Sequence, residues 1–97
     1  MEFLVEFTVN LPADMPDAEV TEHQQAEADA AAALVGQGHL VRLWIPPVRP
    51  GESKALGLYR ADSEEQLDAL LRALPLDHWM DEVVTPLQPH PNDPGGA

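Results

Sequence analysis

There is no cysteine among these 97 residues, which excludes disulfides, thiolate metal sites and cysteine nucleophiles. No apolar run approaches the roughly 20 residues that span a bilayer. The N-terminal residues show no basic region followed by an apolar core, so no secretion signal is read there. A soluble, cytoplasmic protein is the expectation. Cations are scarce, with 5 Lys and Arg against 17 Asp and Glu and a formal net charge of −12. Such a surface repels phosphate backbones, which require clustered basic side chains, and nucleic-acid binding is not expected. The same scarcity narrows the partners of any anionic small molecule to Arg42, Arg49, Lys54, Arg60 or Arg72.

Other chemistries fall by the same route. Only two serines occur, Ser53 in a proline-rich loop and Ser63 at a helix start, so a Ser–His–Asp site has no suitable nucleophile. There is no glycine-rich phosphate loop. His23, His39, His78 and His90 are scattered along the chain. His23 and Glu27 form the one pair at ligand spacing on a helix, and two ligands are too few to read as a metal site. By elimination, cofactor-free proton transfer is the catalysis this chain could most readily perform.

What is present suits one small α+β domain. A chain of this length buries about two-thirds of its unfolded surface, and a hydrophobic content of 44% is ordinary for a globular protein. FLVEFTV (3–9) alternates, with Phe3, Val5, Phe7 and Val9 on one face, and predicts a half-buried strand. NLPADMP (10–16) is a loop. Asp17 is the expected cap of a helix that runs to about Val35 and stops at Gly36-Gln37-Gly38. HLVRLWI (39–45) alternates again, with His39, Val41, Leu43 and Ile45 opposite Leu40, Arg42 and Trp44. PPVRPGES (46–53) is a loop and KALGLYRA (54–61) a third strand. Ser63 and Gln66 form a capping box ahead of a helix carrying Leu67, Leu70, Leu71 and Leu74, which Pro75 ends. EVVTPL (82–87) is the fourth strand.

Strand, helix, strand, strand, helix, strand predicts a ferredoxin-like βαββαβ sandwich over residues 1–88, an antiparallel four-stranded sheet with both helices on one face. Residues 89–97 form a Pro/Gly-rich tail, expected to be extended or disordered unless a partner holds it. Apolar residues on the other side of the second and third strands (Leu40, Trp44, Leu56, Leu58) predict cover by a second subunit, hence a homo-oligomer, although the pattern alone does not fix which set faces which layer.

One residue of the first helix sits oddly. At about 100° per residue with Val20 at zero, Ala31 lies near 20°, Gln24 near 40°, Leu34 near 320°, His23 near 300° and Glu27 near 340°. A carboxylate thus falls inside the apolar stripe. A buried, unpaired carboxylate costs several kcal/mol or neutralises by a raised pKa. Three readings stand: Glu27 snorkels or pairs with an arginine from the sheet, it bonds locally to His23, or it projects into a cavity left by Ala26, Ala30 and Ala31 and acts as a general base.

PADMP (12–16), QGHLVRLW (37–44) and SEEQLDALLRALPLDHWMDEVVTPLQPHP (63–91) resemble the muconolactone isomerase family of the 3-oxoadipate pathway of aromatic-compound catabolism. The resemblance spans nearly the whole chain and places Glu27 where the family has a glutamate. It implies a ferredoxin-like fold, assembly into a homodecamer, and isomerisation of a small carboxylated lactone by proton transfer, with no cofactor. On that resemblance Glu27 is the base, Arg42, Arg49 or Lys54 holds the substrate carboxylate, Trp44 is an apolar wall, and His23 or His39 is a donor. Each also has a plain alternative, such as a surface strand residue, interface packing or the start of a strand. The chain departs from the family at Ile45, at the longer PPVRPGES loop, at Lys54-Ala55-Leu56-Gly57-Leu58 in place of a polar, tyrosine-bearing strand, and at Gln24 and Ala28, where basic residues are missing. A non-catalytic oligomeric protein binding another small molecule is the alternative.

Overall fold

The computed structural model describes residues 1–95. Its elements run β1 (Glu2–Val9), α1 (Asp17–Gly36), β2 (Leu40–Trp44), β3 (Lys54–Arg60), α2 (Glu64–Arg72), a 3-10 turn (Asp77–Trp79) and β4 (Met80–Leu87). The four strands form one antiparallel sheet in the order β2-β3-β1-β4. This is the expected ferredoxin-like sandwich, with β1 and β3 central. Strand β4 begins two residues earlier than its apolar pattern announces, because the 3-10 turn delivers the chain directly into pairing at Val9↔Met80.

Pairing register decides which side chains meet the helices. Phe3 stands opposite Tyr59, Val5 opposite Gly57 and Val84, and Phe7 opposite Ala55 and Glu82. Those positions share the inner face, and Phe3, Val5, Phe7 and Tyr59 join Leu34, Leu67, Leu71 and Leu74 in the core. Helix α2 buries Leu67 and Leu71 and is capped as its sequence dictates. Ser63 Oγ accepts from the Gln66 N–H, while the Gln66 side chain reaches back to the Asp62 N–H, one residue earlier than the usual box.

Two local expectations are corrected. Asp17 does not cap α1: the cap position is Pro16, no side chain bonds there, and the Pro16 carbonyl accepts from Val20. Leu40 does not face a second subunit. A register irregularity between Leu40 and Arg42 reverses the alternation of β2. Leu40 therefore pairs with Tyr59 on the inner face and is buried, whereas Arg42 and Trp44 pair with Leu58 and Leu56 on the outer face. Residues 88–95 contain turns but no helix or strand, and the end of the tail expectation, residues 96 and 97, lies outside the described residues.

Candidate active site

The inner stripe of α1 is shallow. Val20, His23, Ala26, Glu27, Ala30 and Ala31 are half-buried, and Leu34 is its one fully buried side chain. Alanine in place of leucine leaves α1 standing off the sheet, and a cavity of about 130 Å³ fills the gap. Its lining is apolar apart from two groups: the Glu27 carboxylate from the helix and Tyr59 from β3. Phe7, Ala31, Leu43 and Ala55 complete the walls, and Leu74 and Leu76 close one side. A second, more polar cleft of about 460 Å³ is lined by Asn10, Leu11, Gln24, Gly51 and Ser53, and shares Val9 and Leu76 with the cavity. The two compartments are therefore neighbours.

The Leu74-Pro75-Leu76 segment does more than end α2. It brings the Leu76 N–H to 3.2 Å from Glu27 Oε2, and that N–H donates to the carboxylate. Among the described residues Glu27 forms no ion pair and no hydrogen bond to His23. Its pKa is raised above the usual glutamate value, chiefly by burial; the Leu76 bond opposes the shift and the nearby Asp77 charge adds to it. Asp77 in turn belongs to a charged cluster under α2, in which Arg72 bridges Asp68, Asp77 and Glu82. Tyr59 is only 3% exposed. Burial first, then the charges of Glu27 and Glu82, pushes its phenol up to about 12, so it stays protonated at neutral pH.

The other residues singled out in the sequence are placed elsewhere. His23 packs against Trp79, ring centroids 4.9 Å apart. His39 Nδ1 donates to the Arg60 carbonyl at 2.8 Å, fastening the β2 edge to β3. Arg42 lies over the Trp44 ring at 5.3 Å, on the outer face. Lys54, opposite Thr8 on that same face, pairs with Glu52 at 3.6 Å. Arg49 opens the turn whose Gly51 and Ser53 line the polar cleft; its N–H donates to Glu52 Oε1 and its carbonyl accepts from the Glu52 N–H. Gly51, at a φ of 86°, supplies the left-handed conformation that this turn requires. Within one chain, then, Glu27 alone of the seven residues lines the cavity, and strand parity sends Arg42, Trp44 and Lys54 to the opposite side of the sheet. Tyr59, which the sequence analysis did not single out, is the second polar group of the cavity; its alternation with Gly57 and Ala55 on β3 was available to be read. Nothing local in the sequence signals the Leu76 N–H.

The sequence pattern of the muconolactone delta-isomerase family matches residues 1–93. The chain belongs to this family. It is 35% identical to the muconolactone delta-isomerase of Cupriavidus pinatubonensis over 92 residues, covering 95% of this chain and 97% of the relative. It is 33% identical to muconolactone delta-isomerase 1 of Acinetobacter lwoffii, with 95% and 93% covered. A crystal structure of muconolactone isomerase superposes with a TM-score of 0.82 at 34% identity, covering 95% of this chain and 93% of that one. The fold is shared more widely: a 5-chloro-2-hydroxyhydroquinone dehydrochlorinase from Burkholderia phenoliruptrix superposes with a TM-score of 0.66 at 11% identity, covering 91% and 94%. Among the described residues no helix is long and apolar enough to cross a membrane.

Proposed function

We propose that the chain is an isomerase of aromatic-compound catabolism that moves the C=C bond of muconolactone or a closely similar carboxylated lactone, with Glu27 as the base. The observation that carries this is an acid held inward beside an apolar hollow, on a chain whose relatives are named muconolactone delta-isomerases.

Size sets the binding mode. An apolar cavity of about 150 Å³ accepts a benzene-sized ring, so the hollow of about 130 Å³ takes the lactone ring and little else. The carboxymethyl arm extends past Val9 and Leu76 into the polar cleft, where Asn10, Gln24 and Ser53 offer neutral donors. Arg49, on the turn bordering that cleft, is the cation we assign to the arm carboxylate.

Chemistry follows from the carboxylate. Ionised Glu27 removes the ring proton at C4, and the electron pair delocalises through the double bond onto the lactone carbonyl. The protonated acid then returns a proton to C2, which shifts the double bond and regenerates the carboxylate. Burial makes Glu27 a stronger base than a solvated glutamate, and the Leu76 N–H orients it without neutralising it. The cavity walls exclude water from the carbanion-like intermediate.

The outer sheet face supports the oligomer reading. Leu4, Leu56, Leu58, Val83 and Trp44 lie together there, with Val83 59% and Trp44 40% exposed. A second copy covers this layer in the form we propose, and the cytoplasm is its compartment. The decisive test adds muconolactone to the purified protein and follows the ultraviolet absorbance of the lactone. Saturable turnover is expected, and binding without turnover would transfer the chain to the non-catalytic reading.

A further inference from the structure

The isomerisation puts negative charge on the lactone carbonyl oxygen, and a donor must meet it. Neither histidine that the sequence offers lines the cavity: His23 lies against Trp79, and His39 bonds to the Arg60 carbonyl. Leu76 spends its N–H on Glu27. One polar group of the cavity is left over. Tyr59 lines it, and its hydroxyl takes part in none of the side-chain hydrogen bonds found among the described residues.

Its direction is set by a glycine. A Cβ added at Gly57 would stand 2.5 Å from Tyr59 Cε1 and 3.2 Å from Cδ1. The outer end of the ring is thus the part lying over Gly57, and the hydroxyl projects beyond it along β3 toward Ala55, another wall of the cavity. The ring centroid is 6.0 Å from that of Phe7, which pairs with Ala55, so the tyrosine does lean down the strand. Only glycine permits this approach of a ring to the strand backbone.

We propose that Tyr59 is a catalytic residue whose phenol donates a hydrogen bond to the substrate carbonyl as charge builds there, and that Gly57 is the residue that positions it. Base and hydrogen-bond donor then reach the substrate from opposite layers: the carboxylate from the helix, the phenol from the sheet. The phenol keeps its proton throughout; it stabilises charge and transfers nothing. Burial first, then the charges of Glu27 and Glu82, keeps the phenol protonated, so it remains a donor across the working pH range.

This inference rests on the isomerase reading, and the test separates the two. Wild type, Tyr59→Phe, Gly57→Ala and the double variant are compared on muconolactone by ultraviolet absorbance, after circular dichroism has shown each to be folded. Tyr59→Phe keeps the ring and is expected to lower kcat about 10²–10³-fold, the usual cost of one oxyanion donor, with KM changed less than about threefold. Gly57→Ala should lower kcat at least about tenfold, and the double variant should be no worse than Tyr59→Phe, since both act through one hydroxyl. Tyr59 is the single tyrosine of the chain, so its ionisation is read directly from the phenolate absorbance. The midpoint, expected above the usual tyrosine value because the ring is buried, should fall in Glu27→Gln and move in Gly57→Ala if the ring is displaced. An inactive wild type overturns the isomerase reading and this role with it. An active wild type with Tyr59→Phe within about threefold of it overturns this inference alone. If Gly57→Ala does not fold, Tyr59→Phe decides.

Discussion

Replacing Glu27 with glutamine tests the centre of the mechanism with little disturbance of shape. The amide oxygen of the introduced side chain can still accept from the Leu76 N–H, so the orienting bond of 3.2 Å is kept while the proton acceptor is lost. General-base catalysis contributes about 10²–10⁴-fold, so kcat should fall by that factor, a barrier increase of about 3–5.5 kcal/mol. Stability should move the other way. The folded protein holds the Glu27 proton more tightly than the unfolded chain does, because burial, and less so Asp77, disfavours the ionised form against the opposing pull of Leu76. The folded state therefore binds more protons between the unfolded and folded pKa values, and stability falls as pH rises through that window. At pH 7 wild type carries the cost of an ionised, half-buried carboxylate and the glutamine variant does not. The variant should melt at the same temperature or higher at pH 7, with the gap closing as pH falls toward the ordinary carboxylate range. The acid limb of the wild-type kcat/KM profile should lie above the usual glutamate value. Assays are lactone turnover by ultraviolet absorbance and thermal melts at pH 7 and pH 5. A variant keeping more than about a tenth of wild-type kcat, or melting well below wild type at pH 7, refutes the reasoning.

Ala31→Leu should fill the cavity of about 130 Å³ from the helix side; activity should be lost or KM greatly raised, while the melting temperature holds or rises. Arg72→Ala strands Asp77 and Glu82, whose side chains are 20% and 5% exposed. With Arg72 itself 48% exposed, screening reduces the usual cost of breaking a buried pair to about 1–3 kcal/mol. Burial already raises the pKa of Glu82, so that loss should be largest at neutral pH and shrink on acidification as Glu82 protonates; urea melts at pH 7 and pH 5 measure it. Leu58→Asp, opposite Leu4 and Arg42 on the outer face, should shift the protein to a single-chain mass by light scattering while circular dichroism remains unchanged.

The architecture was legible because its signals are local. Alternation in residues 3–9, the Ser63–Gln66 cap and the leucine spacing of α2 each specify an element within a few residues. Glu27 was legible for the same reason, since helical spacing alone puts it in the inner stripe. What a strand faces depends on register, and register is not written locally. The irregularity between Leu40 and Arg42 turns Leu40 inward and leaves Arg42 and Trp44 on the face away from this chain's own cavity. Lys54 is placed there by parity: Ala55 and Gly57 face the helices, so Lys54 faces away. Arg49 survives as a candidate because a turn, not a strand, carries it to the cleft.

The departures from the family pattern on β3 acquire a physical meaning once both layers are seen together. Ala31 on the helix and Ala55 on the sheet are too small to meet, and the space between them is the cavity. Gly57, which breaks the apolar run of β3, is where Tyr59 lies down. A strand of larger residues would pack against α1 and bury Glu27 in a closed core, where an unpaired carboxylate is not tolerated. Small residues opposite the acid thus have two consequences at once: they leave a hollow beside Glu27 wide enough for a small ring, and they keep the carboxylate only half-buried.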